Sequence, residues 1–374
     1  MRKALLLFFF IVAIVTLAGI RFETQLINLT KLIFTTTPSL KETNGKTNIL
    51  LLGIGGGVHA GPNLTDTIIV ASIDKQNNKI TLISIPRDLW VTEVGDNGGK
   101  INEAYADGQM NNQQKGLQKA EAVVSKVTGL PIHYGLRIDF GGFVKVVDLI
   151  GGIDVTVADT LDDYHYPIDG QEDAICGHTQ AEIQNFNATN PTEQQTWDFF
   201  SCRYMHLHVP AGMQHMNGMT ALAFVRSRHG IGNEGTDFAR SRRQQLVIEA
   251  IRNKIFSLGI ILNPSKVMAI YAVIQNSIDT DIPESVFPSF ISLAQKLKTA
   301  SIHTAVIDYG DASQNRVGLL ISPPISSTYY FEYVLLPRIG EGNFSEIQWY
   351  VSCEITVGNC TVPQTPIIPT ISQM

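Results

Sequence analysis

Hydrophobic positions along this chain change period several times, and each change predicts a structural element. Ile49 to Ile54, Thr67 to Ile73 and Lys79 to Ile85 are short, β-branched and almost continuously apolar, the pattern of strands buried on both faces. A helical period follows from about Gln114 to Val127. Next come a strand at His133 to Ile138, a helix at Gly142 to Ile150 and a strand at Ile153 to Val157. Asn217 to Ser227, Thr236 to Leu258, Pro264 to Asn276 and Pro283 to Lys298 read as helices, with Leu246, Val247, Ile251 and Ile255 forming an apolar stripe. Thr304 to Ile307 closes the series as a strand. The alternation predicts an α/β fold, a three-layer α/β/α sandwich around a central mixed β-sheet.

Two regions break the pattern. Asp159 to Met216 is long and rich in Asp, His, Gln, Asn and Thr, which suggests a lid or specificity insert. Asp308 to Tyr350 is irregular with strand-like pieces, and the proline-bearing tail from Val362 to Met374 reads as disordered. At the other end, Ala4 to Ile20 forms an apolar run behind Arg2 and Lys3. Its length lies between a signal-peptide core and a spanning helix. The mixed flank from Arg21 to Phe34 favours an uncleaved N-terminal transmembrane helix, with the leading positive charges holding the N-terminus in the cytoplasm. The predicted organisation is therefore an anchor over residues 1–34, a linker over 35–47, a catalytic domain over 48–307 with an insert at 159–216, and a C-terminal extension over 308–374.

Composition fits that address. The four cysteines form local pairs, Cys176 with Cys202 and Cys353 with Cys360, as in an exported protein, although two pairs leave other connectivities open. Neither pair has the spacing of a redox or zinc motif. His206, His208 and His215 lack firm zinc spacing, and a scattered surface role outweighs a metal site for them. The net charge of -6 and the absence of aromatic–basic interleaving argue against a nucleic-acid partner.

Against that acidic background, Ala221 to Gln245 concentrates Arg226, Arg228, Arg240, Arg242 and Arg243 against only Glu234 and Asp237. A glycine-rich turn separates two helical runs here, with Thr236 as N-cap and Asp237 in the first turn. Guanidinium forks gathered at a turn and a helix start suit a pyrophosphate, the alternative being a solvated basic face. Two other positions carry chemistry. Asp66 follows a glycine-rich connection that matches neither a phosphate loop nor a dinucleotide fingerprint, so a plain hairpin connection is the competing reading. Arg87 follows Pro86 at the end of a buried strand, where ligands gather in open α/β sheets; an ion pair with Asp88 competes with that role.

The blocks L-L-L-G, L-T-D-T, S-I-P-R-D, K-I-N-E-A-Y, L-I-G-G-I-D-V, F-V-R-S-R-H and D-F-A-R-S-R-R-Q-Q, in that order from Asn48 to Leu297, resemble the LytR-CpsA-Psr (LCP) family. The resemblance implies a membrane-anchored, extracytoplasmic phosphotransferase that moves a glycopolymer from a polyprenyl-pyrophosphate carrier to peptidoglycan. It implies pyrophosphate-binding roles for Arg87, Arg226, Arg228 and Arg240, with Arg243 and Gln244 in the same block and Lys100 as a substrate-binding lysine. It also implies Asp66 as the carboxylate holding Mg²⁺ and Asp237 as the acid after the arginine pair; either is a candidate base. Phosphoryl transfer needs mainly positioning and charge neutralisation, which this set supplies. Two positions depart from the family pattern: Gly55 stands where many members have an aspartate, and Leu64 where many have an arginine. His59 and Asp88 are the candidates to compensate. A pyrophosphatase using the same site with water, and a non-catalytic receptor for anionic wall polymer or lipid carrier, are the competing functions.

Overall fold

The three leading apolar runs form antiparallel neighbours β1 (Lys46–Ile54), β2 (Thr65–Asp74) and β3 (Lys79–Ser84). A ribbon of β4 (Trp90–Val91) and β5 (Gly99–Lys100) follows, then β6 (Tyr134–Asp139), β7 (Ile153–Val157), β8 (Leu161–Pro167), β9 (Tyr204–Val209), β10 (Gly212–Met216), β11 (Ile278–Thr280) and β12 (Ser301–Val306). The central sheet has the order β11-β6-β1-β2-β3-β12. β6 lies parallel to β1 and β12 parallel to β3, while the other pairings are antiparallel, so the sheet is mixed. This computed structural model describes residues 38–57, 61–110, 115–257, 270, 272–297, 300–311 and 316–366. The expected anchor at 1–34, His59, most of the helix expected at Pro264 to Asn276 and the end of the tail lie outside them. No helix among the described residues is long and apolar enough to cross a membrane.

Alternation along β1 sends Ile49 and Leu51 into one core and Leu50 and Leu52 into another, as a strand's two-residue period requires. The first core is closed by α3 (Phe140–Leu149), α6 (Gly218–Arg226), α7 (Asp237–Ser257) and α8 (Phe287–Lys296), through residues such as Val147, Phe224, Val247 and Phe290. The second is closed by α1 (Ala104–Gln109), α2 (Gly116–Thr128) and α9 (Ser345–Thr356), through Tyr105, Val124, Ile347 and Val351. Helices therefore cover both faces, giving three layers. Burying each such side chain contributes roughly 1.5–3 kcal/mol.

Among the described residues from 308 to 344 the chain carries short strand pieces such as Leu320–Ile321, as expected, but Ser345–Thr356 is a helix. α9 packs under the sheet, and its last turn is tied to the following segment by the Cys353–Cys360 disulfide. The helix hides from a periodicity search because two of its inward positions are acids. Glu346 is 1% exposed and bound by Arg338, while Glu354 accepts from the Cys360 amide and pairs with His303.

The insert is also structured. β8 pairs with β9, and α4 (Gln180–Ala188) and α5 (Glu193–Phe199) follow the capping boxes of Thr179 with Glu182 and Thr192 with Gln195. The Cys176–Cys202 disulfide joins the segments flanking these helices, and the stacked rings of Phe186 and Phe199, 4.0 Å apart, join the helices to each other.

Candidate functional site

Because β1 and β3 run opposite to β2, one edge of the sheet collects the ends of β1 and β3 and the beginning of β2. Asp66 and Arg87 meet there. Arg87 Nη1 donates to Asp66 Oδ1 at 2.5 Å, and Arg87 Nε, buried and without a hydrogen bond, stands 3.5 Å from Asp88 Oδ2. The K-I-N block holds this corner through its backbone: Asn102 N donates to the Arg87 carbonyl and Ile101 N to that of Leu89. Thr65 Oγ1 donates to the Asn102 carbonyl, fixing the start of β2 against it.

A cavity of about 690 Å³ opens beside this edge, lined by Asp66, Thr67, Arg87, Arg240, Arg242 and Gln244 among others. The first turns of α7 bring the last three. As expected, Thr236 caps that helix, accepting from Ala239 N at 3.1 Å. Arg242 belongs to the arginine cluster read from the sequence, without an individual role there. It pairs with Glu234 and lies 3.7 Å from Asp159 on the insert's first residues.

A second cavity, of about 120 Å³, runs between the sheet and helices α3, α6 and α7. Its walls are almost wholly apolar, including Leu51, Leu136, Phe143, Val225, Ile248 and Ile251. Thr67, Ile69 and Gln244 line both cavities, so the apolar space abuts the charged one. Gln244 Nε2 reaches Thr67 Oγ1 at 3.4 Å across that shared wall. Space for the helices to stand this way depends on Gly218, where a Cβ would come within 2.3 Å of the Val144 carbonyl oxygen as α6 crosses α3.

The other expected residues are not gathered with these. Arg226, at the end of α6, donates to Asp169 Oδ1 at 2.9 Å, and its guanidinium lies 4.5 Å over the ring of Phe140. Phe140 lines the apolar cavity, so Arg226 stands at that cavity's insert side. Arg228 lines a separate cleft with Tyr164, His165, Trp197 and His229. That cleft meets the charged cavity only along Thr236. The single convergence of four arginines expected from the sequence is thus divided. Between Arg226 and Arg228, Ser227 leaves helical geometry and bonds to the buried Asp163.

Arg243 departs furthest from expectation. It is 1% exposed; Nε donates to the Phe224 carbonyl, Nη1 to the carbonyl and side chain of Glu234, and Nη2 to the Ser227 carbonyl. Burial pulls its pKa below the usual arginine range, and Glu234 opposes the shift. It is a structural pin, not a ligand contact. Lys100 is also spent on the protein: it binds Glu332 at 2.6 Å and Asp88 at 3.5 Å. Asp237 begins α7, and its side chain lies outside the described ones.

Residues 17–322 match the LytR_cpsA_psr family. The chain belongs to that family. It is 26% identical over 289 residues to the polyisoprenyl-teichoic acid--peptidoglycan teichoic acid transferase TagV of Bacillus subtilis, a match covering 76% of this chain and 60% of that relative. It is 25% identical over 276 residues to the cell wall biosynthesis protein LcpA of Corynebacterium glutamicum, covering 66% of this chain and 45% of LcpA. The match thus spans about half of these relatives' own length. The crystal structure of B. subtilis TagV shares the fold at a TM-score of 0.54 and 22% identity, covering 83% of this chain and 97% of that one. In this LCP member, then, Asp66, Arg87, Arg240, Arg242 and Gln244 share one cavity.

Proposed function

We propose that this protein transfers a glycopolymer from a polyprenyl-pyrophosphate carrier to a sugar hydroxyl of peptidoglycan. One observation carries the reading: an apolar cavity shares a wall with a cavity lined by Arg87, Arg240, Arg242 and Asp66. That pairing matches an amphiphile with a long hydrocarbon chain and a diphosphate head. Family membership and the names of TagV and LcpA support the same chemistry.

On this reading the prenyl chain lies between the sheet and α6–α7, and the diphosphate rests at the strand ends. Arg87, Arg240 and Arg242 neutralise its charge as the acceptor hydroxyl attacks the glycan-side phosphorus. A new phosphodiester forms, the bond to the bridging oxygen breaks, and prenyl phosphate leaves. The hydroxyl proton passes to a carboxylate, with Asp66 placed on the cavity wall. Asp66, 40% exposed at its side chain, also suits Mg²⁺, which is commonly held by one or two carboxylates and completed by substrate phosphates and water. When bound, Mg²⁺ would supply further charge neutralisation.

The protein would work outside the cell membrane, held by the N-terminal anchor as a single-pass protein. Two disulfides accord with an oxidising compartment. The deciding experiment supplies a prenyl-pyrophosphate-linked glycan and Mg²⁺, with and without peptidoglycan. The expected products are prenyl phosphate and acceptor-linked glycan, formed only when acceptor is present. Equal release of prenyl phosphate without acceptor makes the protein a pyrophosphatase instead, and binding without turnover makes it a receptor.

A further inference from the structure

We infer that the β8–β9 hairpin of the insert carries a binding site for a late first-row divalent cation such as Zn²⁺, with His206, His208 and Asp162 as its ligands. Along β9, Leu207 and Val209 are buried while His206 and His208 are exposed. The two imidazoles, two residues apart on a strand, therefore stand on one face. Asp162 on β8 lies directly opposite His208 in the register. Its Oδ1 is 2.8 Å from His206 Nε2 and 2.7 Å from His208 Nδ1, and the three potential ligand atoms all lie within 4.8 Å of one another. Among the described residues, no other group of three metal-binding side chains comes this close.

The set is chemically selective. Two imidazole nitrogens and one carboxylate suit zinc, nickel or copper, whereas magnesium and calcium prefer oxygen alone. Three protein ligands leave a coordination position for water. Ligand atoms around tetrahedral zinc stand about 3.3 Å apart, so each imidazole need draw back from Asp162 Oδ1 by only about half an ångström. All three are solvent-accessible and able to move that far. Tyr164 stacks on His206 at 4.0 Å and 3°, which presets one ring. The same strand holds the arginine loop: Ile231 N donates to the Asp162 carbonyl at 2.8 Å, and Asp163 accepts from Ser227 Oγ and His229 N. A bound cation would stiffen the support of Arg226 and Arg228.

Titration of the chelator-treated full chain with Zn²⁺ alone tests this, independently of any transferase activity. The expected result is about one equivalent bound per chain, weakened about tenfold or more by His206→Gln and by His208→Gln. Thermal melts of the metal-free variants, expected to match the parent, establish that they fold. His215, paired with Asp154 at 2.6 Å, has only two such groups, so His215→Gln should leave the stoichiometry unchanged. A large excess of Mg²⁺ should not displace the zinc. The inference is overturned if the parent binds no zinc, if the two variants bind like the parent, if His215→Gln removes the binding, or if Mg²⁺ competes.

Discussion

The charged cavity at the strand ends and the cleft beneath the insert meet at Thr236, yet opposite means build them. The first draws its groups from regular elements: Arg87 leaves the end of β3, and Arg240 and Arg242 project from the first turns of α7. The second depends on a loop whose course is set by buried polar bonds, from Ser227 to Asp163 and from Arg243 to three carbonyl groups. Side chains on strands and helices inherit their direction from backbone period. The backbone just before Arg228 is held at Ser227 by Asp163, 64 residues earlier in the chain, in the insert. The comparison therefore separates a site set by strand and helix period from one set by buried polar bonds to the insert.

The largest expected effect strikes the element the two regions share. Arg243→Ala removes the pin that bonds the end of α6, the loop and Glu234, and leaves Glu234, 5% exposed, without its buried partner. Breaking such a buried pair costs about 3–5 kcal/mol. Urea unfolding should show that loss, with both clefts compromised together. A change under about 1 kcal/mol would mean that Arg243 is not the structural pin described here.

Activity should separate the regions. Arg87→Ala removes a donor from the charged cavity and is expected to lower kcat about 10²–10³-fold without a matching loss of stability. Arg228→Ala, in the cleft, should cost about tenfold and mostly in KM for a glycan-bearing donor. Steady-state kinetics on both variants check the ranking. Equal losses would mean that the two clefts close into one site when substrate binds.

Much of this was legible in the residues. The three apolar runs forecast β1 to β3, because strands buried on both faces need nearly continuous hydrophobicity. Thr236 announced its cap, and the two local cysteine pairs are the two disulfides. Arg243 was readable too, in a way that its charge concealed. It falls four residues after Ala239 and four before Val247, both buried, so helix phase puts it on the inward stripe. Arg242, one position earlier, faces the cavity for the same reason. The two capping boxes of the insert likewise stood in the sequence at T-x-x-E and T-x-x-Q. What the residues did not carry was the split between Arg226 and Arg228, which depends on Asp163 and Asp169 arriving from the insert.

The apolar cavity offers a subtler test. Val225 lines it on α6, and Val225→Trp would fill space beside the shared wall. Overpacking should cost about 1–3 kcal/mol in stability. The sharper readout is donor length, since the substitution should lower kcat/KM about tenfold for a long prenyl chain and much less for a short one. Equal losses for both lengths would indicate that the chain does not enter this cavity.

The smallest effect on the two clefts themselves concerns pH, and it guards the comparison against a false signal. On the face of the sheet away from both clefts, burial pushes Glu121 up to about 8, and the neighbouring Asp281 carboxyl is raised as well. Asp281 accepts from Gly135 N at 2.7 Å, which keeps the two acids together at the start of β6. The unfolded chain releases the Glu121 proton from the ordinary carboxylate range upward, whereas the folded chain keeps it to about pH 8. In that window the native state binds more protons than the unfolded one, so stability falls as pH rises and levels off above it. An activity loss toward alkaline pH could then be misread as titration in the charged cavity. Glu121→Gln should flatten the decline of the urea midpoint between about pH 5 and pH 8 while leaving the activity ratio of Arg87→Ala to parent unchanged. An unaltered slope in the variant would move the source of the pH dependence away from Glu121.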